Sequence, residues 1–222
     1  MNPSIVNWRE IDTVLLDMDG TLLDLHYDNY FWREYLPRKV SERDGIPLAT
    51  CRETVLPKLL ASIGSLDFYC IEHWSRVFDI DILALKREIA GKIAVRSGAI
   101  AFLDYLRESG KTVALATNAH PATVELKLDK TNLHRYFDVV CCSHDYGHAK
   151  EHAPFWPALR DHLDIDFERT LFIDDTPRVL EAARKGGIRF LMGIRRPDSQ
   201  REAVDTADFP TTDDFAELLQ HH

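Results

Sequence analysis

Two carboxylates, Asp17 and Asp19, follow the apolar run Val14-Leu15-Leu16 and run directly into Gly20-Thr21. An apolar run ending this way predicts a buried strand that delivers both acids to a tight turn. Side chains alternate along a strand, so residues two apart leave its end on one side. Two carboxylates held that close repel one another, at a cost, unless a cation lies between them, one is protonated, or both are exposed in a loop. A hard dication such as Mg2+ takes oxygen ligands and bridges to phosphate oxygens, so the pair points to metal-assisted phosphate chemistry. The plainer alternative is an Asx-rich turn whose glycine supplies a positive φ.

Further polar groups sit at comparable places downstream. Val113-Ala114-Leu115-Ala116 ends in Thr117-Asn118, Lys150 offers a cation, and Thr170-Leu171-Phe172-Ile173 ends in Asp174-Asp175. In an open parallel α/β sheet, ligands bind beyond the carboxyl ends of the strands near a switch in strand order, where these groups would converge. Each also has an ordinary structural use. Thr117 could cap the helix starting near Pro121, Lys150 could be a surface lysine, and Asp174-Asp175 could cap the helix that Pro177 opens.

Taken together, D-x-D-G-T at residues 17–21, a threonine after the next strand, a lysine and a D-D pair resemble the haloacid dehalogenase superfamily of phosphohydrolases. The resemblance covers about residues 10–24 and 95–200. It implies that Asp17 is the nucleophile and Asp19 the general acid and base. It further implies that Asp17, the Asp19 carbonyl, Asp174 and Asp175 hold Mg2+, with Asp175 favoured as a direct ligand. Thr117 and the Asn118 amide would grip a phosphate oxygen, and Lys150 would stabilise Asp17 and the transferring phosphoryl group. In many relatives a proline follows the lysine directly. Here Glu151 does, and Pro154 comes later.

Positioning these groups requires strands near 13–17, 111–116, 137–142, 170–174 and 188–192. Helices are expected between them near 98–109, 121–131, 153–163 and 177–185, and a short one near 212–220. Alternation of this kind predicts an α/β fold, a Rossmann-like parallel sheet with helices on both faces. Residues 25–95 lack strand alternation and break at Gly45-Ile46-Pro47, Ile63-Gly64-Ser65 and Phe78-Asp79-Ile80-Asp81. They predict an α-helical cap domain inserted after the first strand, with 1–24 and 96–222 as the hydrolase core. Two linkers near Asp24 and Arg96 would serve as a hinge.

The 222 residues suffice for a sizeable core, and no apolar run approaches a membrane span. With no secretory signal in view, a cytoplasmic protein is expected. A net charge of -9 argues against a nucleic-acid polymer as partner. The spacing of Cys51, Cys70, Cys141 and Cys142 matches no zinc site, and the adjacent pair should point to opposite sheet faces. His144, His148 and His152 recur at spacing four, but across a loop rather than a helix, and His221-His222 reads as a tail.

Small phosphate esters remain as substrates. The expected cap opens with Tyr27, Tyr30, Phe31, Trp32 and Tyr35, interleaved with Arg33, Arg38, Lys39 and Arg43, which suits a base and a phosphate. Trp32 and Arg33 are the substrate-binding candidates, although the same aromatics also fit the core stripe of a helix. Leu23-Asp24-Leu25, the Trp32…Tyr35-Leu36-Pro37 stretch and Ala116-Thr117-Asn118-Ala119-His120 resemble the bacterial GMP/IMP nucleotidase group. That resemblance implies 5′-dephosphorylation of purine nucleoside monophosphates. A sugar-phosphate or phosphoglycolate phosphatase, or a phosphomutase, would use the same core. A dehalogenase would need neither the metal-binding acids nor Asp19.

Overall fold

The computed structural model describes residues 6–219; His221 and His222 lie outside them. Among the described residues six parallel strands form one sheet: β1 (Thr13–Leu16), β2 (Thr112–Thr117), β3 (Val139–Cys142), β4 (Thr170–Asp174), β5 (Phe190–Ile194) and β6 (Thr211–Thr212). Their order is β3-β2-β1-β4-β5-β6, so the chain runs outward from β1 first to one side and then to the other. Leu16 pairs with Leu115 on one side and Ile173 on the other, which brings the ends of β1, β2 and β4 together at the switch point.

Ten α-helices accompany the strands among the described residues. The insert holds α1 (His26–Tyr30), α2 (Leu36–Asp44), α3 (Leu48–Ala61), α4 (Leu66–Tyr69), α5 (Ile71–Phe78) and α6 (Ile82–Glu88). A π-helical turn, Phe31–Tyr35, joins the first two. Beside the sheet lie α7 (Ala99–Glu108), α8 (Pro121–Thr131), α9 (Phe155–Leu163) and α10 (Pro177–Lys185). Alternation along β1 sorts the core into two layers. Val14 and Leu16 pack with Phe102 and Leu103 of α7 and Val124 of α8, while Leu15 packs with Trp156 of α9 and Leu180 of α10. Cys142 and Cys141 divide between the same layers, as their adjacency requires.

The expected helices 121–131 and 177–185 match α8 and α10 because a proline occupies the first position of each, where its missing N–H costs nothing. Most other bounds shift by one or two residues, as β3 and α9 do at their starts. The last long strand starts at Phe190 because Ile188 N–H closes back on Ala183 (3.1 Å) and extends the helix end. The expected helix near 212–220 is instead β6, which adds to the sheet edge, followed by a short 3₁₀ turn, Phe215–Leu218. Phe215 stacks on Phe102 at 5.0 Å, so packing onto α7 outweighs the helical periodicity of the segment.

The insert has its own apolar cluster, centred on Phe31, Leu36, Val55, Trp74 and Ile82. Its two linkers run side by side: Asp24 N–H donates to Ala94 and Arg96 N–H to Leu22, each at 2.9 Å. Among the described residues, no helix is long and apolar enough to cross a membrane.

Candidate active site

Asp17 continues β1 by one residue, its N–H donating to the Ile173 carbonyl at 3.0 Å. The chain then turns sharply at Gly20, whose φ of +91° suits a residue without a Cβ. A methyl group there would also collide with the Asp175 carboxylate. The turn therefore brings the β1 and β4 carboxylates together, and only glycine fits between them.

Lys150 is the cation of this cluster. Its ammonium donates to Asp17 Oδ1 at 2.6 Å, Asp174 Oδ2 at 2.7 Å and the Ala116 carbonyl at 2.9 Å. It is 2 % exposed, which removes the surface-lysine reading. All three of its donors are engaged, so its desolvation is compensated by charge and by hydrogen bonds. Burial alone would lower its pKa, but Asp17 and Asp174 outweigh burial and raise it.

Asp17 and Asp19 are both raised to about 6. Burial is the main cause for each, opposed by Lys150 for Asp17 and by Lys127 for Asp19. Asp174 and Asp175 are raised as well, chiefly by burial, and Asp175 also by the neighbouring Asp174 charge. Asp174 is fully committed: Oδ2 accepts from Lys150 and Oδ1 from Thr176 N–H at 2.8 Å. Among the described residues, Asp175 accepts only a longer bond from the Thr176 hydroxyl, 3.2 Å, and it lines the cavity.

Asn118 ties the loops together. Its Oδ1 accepts from Lys150 N–H at 2.8 Å and its Nδ2 donates to Glu151 at 2.9 Å. Glu151, standing where the family pattern has proline, also accepts from the Tyr69 hydroxyl of the insert at 2.8 Å. The departure from the pattern thus supplies a link between insert and core. Thr117 Oγ1 accepts from Ala119 N–H at 3.0 Å, whereas His120 Nδ1 caps α8, so the capping role considered for the threonine falls to the histidine.

A second buried network escaped the sequence reading. Lys127 on α8 donates to Asp19 at 2.6 Å and to Asp28 of the insert at 2.7 Å, and Lys86 of α6 donates to Asp28 at 2.9 Å. Burial would raise the Asp28 pKa, but the two lysines outweigh it and hold the carboxyl well below its usual range. One signal for Lys127 is present in the sequence: it falls between Val124 and Leu128 on the apolar face of α8, where a surface lysine would not sit.

These groups enclose a cavity of about 270 Å³ beyond the ends of β1, β2 and β4. It is lined by Asp17, Asp19, Thr117, Asn118, Lys150, Asp174 and Asp175, and from the insert by Trp32, Phe68 and Tyr69. Trp32 also packs edge-on against Phe31, with ring centroids 4.8 Å apart, so it serves both cavity and insert core. Arg33, expected beside it on the substrate, is exposed and lines an adjoining apolar recess with Leu56, Leu59 and Leu60, which shares Trp32 and Phe68 with the cavity wall. Within the π-helical turn Trp32 faces the cavity, and its neighbour Arg33 projects away from the carboxylates.

The sequence matches the haloacid dehalogenase-like hydrolase family over residues 11–187. It is 36% identical to the GMP/IMP nucleotidase YrfG of Escherichia coli (strain K12) over 214 residues, 96% of each chain. It is 25% identical to the phosphorylated carbohydrates phosphatase of Thermotoga maritima, covering 83% of this chain and 85% of that one. Among solved structures, a HAD phosphatase from Thermococcus onnurineus superposes with a TM-score of 0.78 at 24% identity, covering 94% of this chain and 96% of the other. Fold, motif order and sequence agree: this chain belongs to the haloacid dehalogenase-like hydrolases.

Proposed function

We propose that this phosphomonoester hydrolase is a Mg2+-dependent purine 5′-nucleotidase that converts GMP or IMP to nucleoside and phosphate through an aspartyl-phosphate on Asp17. One observation carries the chemistry: Lys150 holds Asp17 against Asp174, while Asp19 stands across the turn on a separate lysine. Two carboxylates in one cavity are thereby given different surroundings and different work.

An oxygen of Asp17 attacks phosphorus as the ester P–O bond breaks, and the Asp19 carboxyl gives its proton to the departing alcohol oxygen. The Asp19 carboxylate then takes a proton from water, which attacks the same phosphorus and frees Asp17 and inorganic phosphate. The raised Asp19 pKa suits a group that must both give and take a proton near neutrality. The Thr117 hydroxyl, free to donate, binds a phosphoryl oxygen whose charge grows in the transition state, and the Lys150 charge held beside Asp17 stabilises that charge.

The residues present fit a dication. Asp17, Asp19, Asp174 and Asp175 surround the cavity, and Asp175 has no cation of its own within bonding distance among the described residues. Asp17, the Asp19 carbonyl and the acids at 174 and 175 would hold Mg2+, with Asp175 as the direct ligand because Asp174 is already engaged. Bound there, the ion would neutralise charge between the anionic nucleophile and an anionic phosphate.

The 36% identity to a GMP/IMP nucleotidase along nearly the whole chain supports the substrate, as do the rings of Trp32, Phe68 and Tyr69 on the cavity wall. Residues 25–95 act on this reading as a cap that opens about the paired linkers and closes to exclude water. Phosphate release with Mg2+ from a panel of nucleoside monophosphates, sugar phosphates and phosphoglycolate tests it. Preference for GMP and IMP, lost in EDTA and in Asp17→Asn, is expected. Preference for a base-free phosphate would replace the nucleotide assignment, and full turnover by Asp17→Asn would overturn covalent catalysis.

A further inference from the structure

A second cluster of metal-binding side chains lies at the seam between the insert and the core. Cys70, at the start of α5, meets His120, which caps α8, and His144, in the turn after β3. One ligand atom from each lies within 4.8 Å of the others. The two imidazoles meet edge to face with centroids 4.8 Å apart. Glu72 closes the group, with Oε2 2.8 Å from His120 Nε2 and 3.5 Å from Cys70 Sγ.

The hydrogen bonding of His144 is the telling detail. Both of its ring nitrogens are buried, and neither has a partner among the described residues. A buried polar atom left without a partner costs on the order of 1–3 kcal/mol, so a side chain with two of them is poised for something else. A protonated ring would be worse placed, because among the described residues no carboxylate lies within bonding distance of it.

We propose that Cys70, His120 and His144, with Glu72 as fourth ligand, form a binding site for a borderline-soft divalent metal ion of the Zn2+ type. One sulfur, two imidazole nitrogens and a carboxylate oxygen match the donors such an ion selects, whereas Mg2+ takes oxygen. Donors around a tetrahedral zinc lie about 3.3–3.8 Å apart, so modest side-chain rotation closes the cluster. Binding releases the Cys70 thiol proton to solvent and exchanges one hydrogen bond of His120, to Glu72 or to Ala122 N–H, for the metal. Cys70 and Glu72 belong to the insert, and both histidines to the core. The ion therefore clamps one onto the other beside the cavity mouth, where Ile71 and His120 form part of the wall.

Co2+ titration of the whole protein, with excess Mg2+ keeping the carboxylates loaded, tests the site. One equivalent of Co2+ should give the visible bands of a tetrahedral ion with a thiolate charge-transfer band, and Zn2+ should displace it. Cys70→Ser retains an oxygen to cap α5; it should abolish the charge-transfer band and weaken binding at least about tenfold, as should His144→Ala for affinity. Zn2+ should slow p-nitrophenyl phosphate turnover by the wild type more than by Cys70→Ser. Absence of a thiolate band at saturation, a band that survives Cys70→Ser, or unchanged affinity in His144→Ala would overturn the site. Equal Zn2+ inhibition of both proteins would overturn the clamp.

Discussion

Lys127 and Asp28 meet at 2.7 Å across the seam between α8 of the core and α1 of the insert, and the same ammonium reaches Asp19 at 2.6 Å. Insert position and the surroundings of Asp19 are thus read through one buried cation. Burial alone would lower the Lys127 pKa, but Asp19 and Asp28 outweigh it and raise it. Lys86, with Asp28 as its only carboxylate partner among the described residues, is lowered because burial prevails.

Asp28→Asn strips a carboxylate from two buried lysines and should destabilise the protein by about 3 kcal/mol at pH 7. The folded pKa of Asp28 is depressed, so its contribution is complete above the unfolded value near about 4 and is lost as pH falls below that. Urea denaturation of both proteins at neutral and acid pH should show the difference shrinking on acidification. A difference independent of pH would show that the charge of Asp28 is not what matters.

Asp175→Ala should raise the Mg2+ concentration needed for half-maximal turnover at least about tenfold while leaving the fold intact, as expected for a lost carboxylate ligand. Activity against Mg2+ concentration is the measurement. Superimposable titration curves would return the ligand role to Asp174.

Gly20→Ala places a Cβ at φ +91° and against the Asp175 carboxylate. Backbone strain alone costs about 1–2 kcal/mol. Because the clash moves Asp175, turnover should fall further than that loss of stability explains. Thermal unfolding and kcat, measured on the same preparation, separate the two effects.

Trp32→Ala should raise KM for GMP several-fold more than KM for p-nitrophenyl phosphate if the indole stacks on the base, a contact worth about 1–3 kcal/mol. Equal changes for both substrates would leave Trp32 as a packing residue against Phe31 and Trp74.

Groups that follow a strand end were legible in the sequence because their signal is local. An apolar run ending in Asp17, Thr117 or Asp174 states both the strand and the polar tip, and parallel alternation then brings those tips together. The α8 and α10 boundaries were legible for the same reason, each marked by its own proline. Tertiary structure alone decided which charges share a partner. Lys86, Lys127 and Asp28 are far apart in the chain, and a lysine is buried only where carboxylates from other elements offset its desolvation. The exclusion of Arg33 from the cavity, the meeting of Cys70 with His120 and His144, and the use of Glu151 as a link to Tyr69 depend likewise on how the insert lies on the core. No spacing within one element encodes that docking, because it is set by the packing of two surfaces.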